Sequence, residues 1–451
     1  MAAKVKKTLT WIGLCFVILI AFSLMIRAVF NYSTGKKLEN TLQKMKSDGI
    51  HLAIQEMEPQ CDREDNAAIS WKAGEAVFSL NKEERTLLGD SIQDLFYLRP
   101  LGTENKQRLR KLISENQRVI QFIQEAAEKS CFKYVENWDR PPSEFELPDI
   151  LKMMNVIRLV GIDSFLKGES GQTEDAIALC LAGIHFLRTY LQEPFLMNYL
   201  VALANMKQLV ICLQRIIQEK DISTQFLAAV FQELDSSHWH KNLEWKSQTE
   251  RVFGIEASYR ILDGDLSFIN GKFSTKVYFW MFRPILKSGI IKVLKTYDRY
   301  VKTLSLPYYE YKDAHEDIIR GLNRPSLFSE TMKLIFPNLS TVKFRLATLD
   351  AVLHSTRLGI ACKIYKNENG EYPNTLSELV PDFMNEELLD PFSGEPFVFR
   401  REDTGIIIYS VGSNGKDDGG RGTWMITQLV MEKDDDWSWK ERTIKQIEIR
   451  R

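Results

Sequence analysis

The chain has 451 residues, 44% of them hydrophobic and 26% charged, with a formal net charge of -1 and an isoelectric point near 6.6. That length allows two or three domains of ordinary globular composition, each able to bury a core. The balance of 59 basic against 60 acidic residues leaves no global basic field of the kind that holds a protein to nucleic acid, so that class of partner is disfavoured.

After Lys4, Lys6 and Lys7 the chain runs from Leu9 to Ile26 without a charge, and Ala28-Val29-Phe30 extends the run past Arg27. As a helix Leu9 to Ile26 spans about 27 Å, enough to cross a bilayer. An uncleaved anchor is predicted. A cleaved signal peptide is the rival reading, but the run is long and no small-x-small pattern surrounds Ile26-Arg27-Ala28. Flanking charge does not set the orientation, because Arg27, Lys36, Lys37, Lys44 and Lys46 on the far side offset the basic start. A short N-terminal tail followed by a long body predicts a single-pass protein of the cell inner membrane, with the bulk of the chain outside the cytoplasm. Residues 1–30 are read as cytoplasmic tail and anchor, 31–65 as a helical stalk, 66–335 as an α-helical body and 336–451 as a small α+β module.

The stalk carries Leu38, Leu42 and Met45 at helical intervals. In the body, Leu109, Leu112, Ile113, Ile120 and Ile123 are predicted to share one helix, and Ile150 to Val160 lie on the next. Breaks are expected at Arg140-Pro141-Pro142, Lys167 to Gly171 and Glu193-Pro194. The helices around Gly168 to Gly171 read as a tetratricopeptide-like hairpin, but no further copies follow at that period, and an irregular helical bundle is expected. Val277 to Leu294 is aromatic, yet Arg283, Pro284 and Lys287 interrupt it too closely for a span; it reads as an amphipathic helix on the body, with a membrane-surface helix as the alternative. Cys180 and Cys212 sit among apolar residues as small core side chains. Cys61 and Cys131 lie in more polar contexts and can bridge in an oxidising compartment.

The last module opens with a long helix bearing Leu346, Leu349, Leu353, Ile360 and Ile364, ended by Asn367-Glu368-Asn369-Gly370. Leu376 to Val380 is a short second helix. Phe397-Val398-Phe399 and Ile406 to Tyr409 are predicted as two antiparallel strands joined at Glu402 to Gly405. The fold class is therefore mainly α, with an N-terminal transmembrane helix, an irregular bundle and a small C-terminal α+β domain.

Tyr372-Pro373, Asp390-Pro391-Phe392, Gly394, Pro396-Phe397, Phe399, Tyr409-Ser410, Gly412, Asn414-Gly415 and Gly419-Gly420 together resemble the globular domain of the type II secretion major pseudopilin. The likeness covers about residues 340 to 440 and implies a loop that holds calcium. Asn414 stands where the family has its loop aspartate, Ser393 adds one residue, and Arg421 to Lys433 is an insertion. Asp417, Asp418 and one or more of Asp434, Asp435 and Asp436 are the acids able to complete such a site with backbone carbonyls, since a hard cation takes oxygen ligands. The alternative is a solvated acidic turn whose glycines supply positive φ. The prepilin cleavage signature is absent after Gly13, so assembly into a pseudopilus is not expected. The whole chain also resembles an uncharacterised bacterial family of single-anchor helical proteins with this ending, through Asp65-Asn66-Ala67-Ala68, Gly171 to Leu187, Glu193-Pro194, Glu250-Arg251 and Tyr372-Pro373; it implies no activity.

Other constellations are weaker. His238 and His240, with Glu244, would diverge on a helix and make a poor metal pair. His315-Glu316 opens like H-E-x-x-H, but Ile319 occupies the fifth position. Glu250, Arg251 and Glu256 form a structural ion pair or, in the alternative of a hydrolase, the acid and base of a cleft in the helical body. No G-x-S-x-G, Walker loop or G-x-G-x-x-G occurs, and no cofactor-binding motif is found. The expected function is that of a membrane-anchored binding or scaffolding component, meeting an envelope or secretion protein partner through a calcium-stabilised C-terminal loop.

Overall fold

The computed structural model describes residues 2–97, 99–265, 273–322, 339–402, 405–420 and 437–440. The chain divides into two compact units. One comprises Met1–Met57, Gln248–Thr303 and His315–Asn338; the other comprises Glu58–Ser247, Leu304–Ala314 and Leu339–Arg451.

In the first unit, α1 (Ala2–Ser47) is one unbroken helix, about 69 Å long at 1.5 Å per residue. Its apolar stretch, which starts within Trp11–Ser47, is wholly exposed and long enough to cross a membrane. The predicted stalk does not stand alone. Leu38 and Met45 pack against Ile255, Ile261 and Leu262 of α10 (Ser237–Asp263) and against Phe279, Leu286, Ile290 and Leu294 of α11 (Phe273–Thr303). The spacing of those α11 residues places them on one stripe. The Val277 to Leu294 segment is thus an amphipathic helix with one face in this core, and it continues through Pro284.

The second unit is built on α6 (Ile150–Glu169), α7 (Thr173–Tyr190) and α8 (Leu196–Glu219), each packed on the other two. Gly171 at φ 89° closes the predicted α6–α7 hairpin. Close approach is set by small residues: a Cβ on Gly183 would lie 2.8 Å from Leu209 Cδ1, and one on Gly161 would lie 3.0 Å from Cys212 Sγ. α8 has the length and hydropathy of a membrane span, but 78% of that window is buried, which makes it the core helix of this unit. Cys180, Cys212 and Cys362 are buried thiols.

Around this centre pack α2 (Ala67–Val77), α3 (Lys82–Phe96), α4 (Thr103–Glu115), α5 (Gln117–Ala127) and α9 (Thr224–Glu233). The expected single helix through Leu109 and Ile123 is two. Asn116 separates them, its side-chain Nδ2 donating 2.9 Å to Leu112 O, where its amide also bonds at 3.2 Å. An asparagine that takes a backbone carbonyl in this way competes with helix continuation. Asn66 works differently: its Oδ1 accepts from Ala68 N to cap α2 and from Lys133 N, while its Nδ2 donates to Lys133 O. The seam it makes lies beside a Cys61–Cys131 disulfide with a Cα–Cα distance of 5.6 Å.

The C-terminal part of this unit carries α13 (Leu339–Asn369), ended by Gly370 at φ 84°, while α12 (Tyr308–Leu322) precedes it. The expected short helix at Leu376 to Val380 is present as a four-residue 3-10 helix, Leu376–Leu379, closed by a Thr375/Glu378 capping box. Beyond it, β1 (Val398–Glu402), β2 (Gly405–Ser410) and β3 (Trp437–Lys440) form an antiparallel sheet in the order β1-β2-β3, with Val398 opposite Tyr409 and Tyr409 opposite Ser438. The two expected strands are present and a third joins them.

Glu193, in the predicted break before α8, is fully buried. Its carboxylate accepts from Tyr134 N at 2.9 Å and Val135 N at 3.4 Å. The Lys246 ammonium, also fully buried, donates to Leu191 O and Glu193 O. Burial pushes Glu193 up to about 7, opposed by those backbone hydrogen bonds, and pushes Lys246 down to about 7, opposed by the Glu193 charge. Removing the ammonium leaves the buried carbonyls of Leu191 and Glu193 without this donor, and an unsatisfied buried acceptor costs about 1–3 kcal/mol. Lys246→Ala is expected to lower the unfolding free energy in urea by about 1–3 kcal/mol or more; a midpoint equal to wild type would contradict the role assigned to this lysine.

Candidate functional site

The C-terminal loop is held by its own polar groups. Asp390 is buried, and its carboxylate accepts from Phe392 N at 2.9 Å, Ser410 Oγ at 2.8 Å and Val411 N at 2.9 Å, which ties the Asp390-Pro391 turn to the end of β2. Asp417 Oδ1 accepts from Tyr409 OH at 2.7 Å and Gly419 N at 2.8 Å, and these two bonds hold its carboxyl below the usual value. Asn414 Nδ2 donates to Asp418 Oδ2 at 2.8 Å, while Asn414 Oδ1 accepts from Lys416 N. Asn414, Asp417 and Asp418 are therefore near one another, each bound within the loop. Asp434, Asp435 and Asp436 lie outside the described residues. Among the described residues no group of three or more His, Cys, Asp or Glu side chains is arranged to hold a metal ion.

His238 and His240 both fall on α10, as a helical reading requires. His240 Nε2 is 2.9 Å from Asp350 Oδ2 on α13, and His354, one turn along, places Nε2 3.4 Å from Ser236 Oγ and Nδ1 3.2 Å from Leu389 O. His315 rests its ring 5.2 Å from that of Tyr300, where burial lowers its pKa. Arg251 is 2% exposed, with Nη2 3.5 Å from Asp298 Oδ1 and its guanidinium over the Tyr297 ring. Burial raises the carboxyl of Glu256, opposed by Arg260.

A site that sequence reasoning missed lies in the second unit, where α3, α6, α8 and α13 enclose a cavity of about 320 Å³. Helical periodicity sets its walls. Met154 and Arg158 are one turn apart on α6; Leu203 and Lys207, with Ala204 and Gln208, are each one turn apart on α8; Arg345, Thr348 and Leu349 share a face of α13. Side chains three or four residues apart project from the same side of a helix. Ile92 and Phe96 of α3 complete an apolar wall.

The polar wall is cationic. Arg158, Lys207 and Arg345 line the cavity, and among the described residues no Asp or Glu does. Lys207 is 8% exposed and its ammonium lies 4.9 Å from the Phe96 ring centre, a cation–π distance. Burial, then the charge of Arg345, pushes Lys207 down to about 7. Arg158 is also lowered by burial; its Nη1 donates to Asn155 Oδ1 at 3.3 Å, while its Nε is buried without a hydrogen-bond partner. Gln208 Oε1 and Thr348 Oγ1 are likewise buried and unpartnered, Thr348 at 1% exposure. Unmade hydrogen bonds of this kind cost about 1–3 kcal/mol each. The cavity thus offers guanidinium, ammonium and hydroxyl donors beside an apolar wall, a donor set suited to an anion that carries an apolar part.

Comparison of the chain with family models, with curated proteins and with solved structures gives no match. The sequence does contain a signal for the cavity: Lys207 is the only charged residue from Leu196 to Gln214, so a helix buried on most sides must carry it inward.

The free cavity should bear a pH-dependent strain. Lys207 titrates near 7 in the fold and near its ordinary value of about 10.4 when unfolded, so the unfolded chain binds the extra proton between those values and stability rises with pH across that window. Lys207→Met removes this term. The variant is expected to exceed wild type in thermal stability most at pH 6 and least at pH 9; a gap that widens with pH would be incompatible with a buried, discharged Lys207.

Proposed function

We propose that this chain is a single-pass, membrane-anchored binding protein whose body lies outside the cytoplasm at the inner membrane, and that its ligand is a small anion with an apolar portion held in the α3/α6/α8/α13 cavity. The observation that carries the binding role is the cavity wall, where Arg158, Lys207 and Arg345 stand with no carboxylate among the described lining residues, beside Arg158 Nε and Thr348 Oγ1, which lack hydrogen-bond partners. An anionic group entering there would set a negative charge opposite Arg158, Lys207 and Arg345 and give an acceptor to Arg158 Nε–H and the Thr348 hydroxyl, while Ile92, Phe96 and Leu203 would cover its apolar part. Arg and Lys bonds to carboxylate or phosphate are about twice as strong as neutral ones.

Location is supported by two features. The N-terminal helix has the length and exposure of an anchor, and Cys61 is bridged to Cys131, a bond that persists in oxidising compartments and is rare in the cytosol. The C-terminal loop around Asn414, Asp417 and Asp418 is the part of this proposal that would face a protein partner, with calcium as an added stabiliser.

Phenyl phosphate and phenol test the binding role, since they differ in the anion alone. Phenyl phosphate is expected to raise the melting temperature of the full chain, by the equivalent of about 2.7 kcal/mol at a hundredfold excess over Kd, while phenol at equal concentration does not. Because the anion favours charged Lys207, affinity should be highest below pH 7 and fall by about tenfold or more as pH rises to 8.5. Arg158→Met and Lys207→Met should both lose the shift while remaining folded. Equal shifts from phenol, or full retention of the effect in both variants, would refute an anion site here.

A further inference from the structure

The first unit carries an exposed apolar stripe that the cavity does not explain. On α11, Val277, Trp280, Met281 and Ile285 face outward, and their spacing of three and four residues makes them one band along the helix. The opposite face of the same helix, through Phe279 and Leu286, is buried against α1 and α10.

The register of α11 against α1 says where that band lies. Arg27 donates to Trp280 O and stacks its guanidinium over the Trp280 ring at 3.8 Å. Further along, Lys287 Nζ donates to Asn31 O at 3.3 Å. Both numbers rise together, so the two helices run parallel. Residues before Trp280 therefore lie beside residues before Arg27, which belong to the apolar run of α1. From Phe273 to Trp280 the helix extends about 10 Å in that direction. The exposed bands also stop at one level: on α1 the outward apolar and aromatic residues end at Tyr32, on α11 at Ile285, and Lys287 follows.

We propose that the first turns of α11 are immersed in the outer interface of the same bilayer that α1 spans, with Val277, Trp280, Met281 and Ile285 facing lipid. This rests on α1 being a membrane anchor. The chemistry fits that depth: tryptophan is enriched at the headgroup level and arginine near a helix end reaches to it, and interfacial helices bury their apolar face by about 5–10 Å. Arg283 stands back from the band, 3.2 Å from Asp263 of α10. The protein is then held by a span plus a helical wedge, which restricts tilting of the first unit about its anchor.

Nitroxide labels report this directly. In the full chain carrying Cys15→Ser, reconstituted into vesicles of phosphatidylcholine and phosphatidylglycerol, labels at Val277→Cys and Met281→Cys are compared with Ile18→Cys on α1 and with Leu151→Cys, which is 70% exposed in the second unit. Oxygen, which concentrates in lipid, is expected to relax the labels at 277, 281 and 18 more than a water-soluble nickel chelate does, and the order to reverse at 151. Labels at 277 and 281 that behave like 151 while 18 stays lipid-exposed would overturn the wedge and leave the anchor standing. Shielding of 277 and 281 from both reagents would mean a protein contact and would overturn it equally. A water-exposed label at 18 would overturn the anchor and the wedge together.

Discussion

A buried ammonium group needs oxygen atoms around it, and in this protein most of those oxygens are backbone carbonyls at the ends of helices. Lys246 binds the carbonyls of Leu191 and Glu193 just past α7. Lys363 of α13 reaches Ile217 O and Lys220 O at the end of α8, the latter at 2.9 Å. Lys343, pushed down to about 8 by burial and opposed by Asp350, donates to Leu304 O at 2.8 Å. The C-terminal carbonyls of a helix lack intrahelical donors and carry the negative end of its dipole, so a lysine placed there satisfies both needs at once. The result is directional: each lysine ties its own element to the end of another, and α13 is thereby pinned along α8. Gln214 Nε2 donating 2.6 Å to Thr356 Oγ1 adds a second tie between the same two helices.

That pinning creates the cavity's polar wall. With α8 and α13 fixed face to face, Lys207 and Gln208 on one meet Arg345 and Thr348 on the other, and α6 adds Arg158. Burial weighs on both sets of cations, and in the second set the charged groups also line a cavity of ligand size. On the proposed reading, an entering anion offsets the cost of burying these cations and couples binding to proton uptake at Lys207. On the same reading, the anchor-like N-terminal helix and the Cys61–Cys131 disulfide set this chemistry on a membrane-held body outside the cytoplasm.

Much of the fold was legible because its signals are local. The apolar run ending at Ile26, the Gly171 hairpin, the stop at Gly370 and the β-branched and aromatic run Ile406 to Tyr409 each need only a few neighbouring residues to be read. Asn116 was missed because its effect comes from one side-chain hydrogen bond to Leu112 O, invisible to hydrophobic periodicity. The short helix read at Leu376 is of the 3-10 kind, a distinction that so few residues do not carry. The site was less legible. Arg158, Lys207 and Arg345 are far apart in the chain and become neighbours only through the packing of α6, α8 and α13, and all three were missed, although Lys207 is the only charged residue from Leu196 to Gln214. The acidic loop drew attention because Gly and Asp cluster in sequence, while the partner that orients Asp417 is Tyr409, on the preceding strand.

The most direct test of the account is the number of protons taken up when phenyl phosphate binds. Calorimetric titrations of the full chain at pH 7.5, in buffers of different ionisation enthalpy, give that number from the slope of binding heat against buffer heat. With Lys207 titrating near 7 in the free cavity, net proton uptake is predicted for the wild type and is lost in Lys207→Met. Binding with no proton uptake, or the same uptake in the variant, would contradict the assignment of Lys207 as the group whose charge the ligand completes.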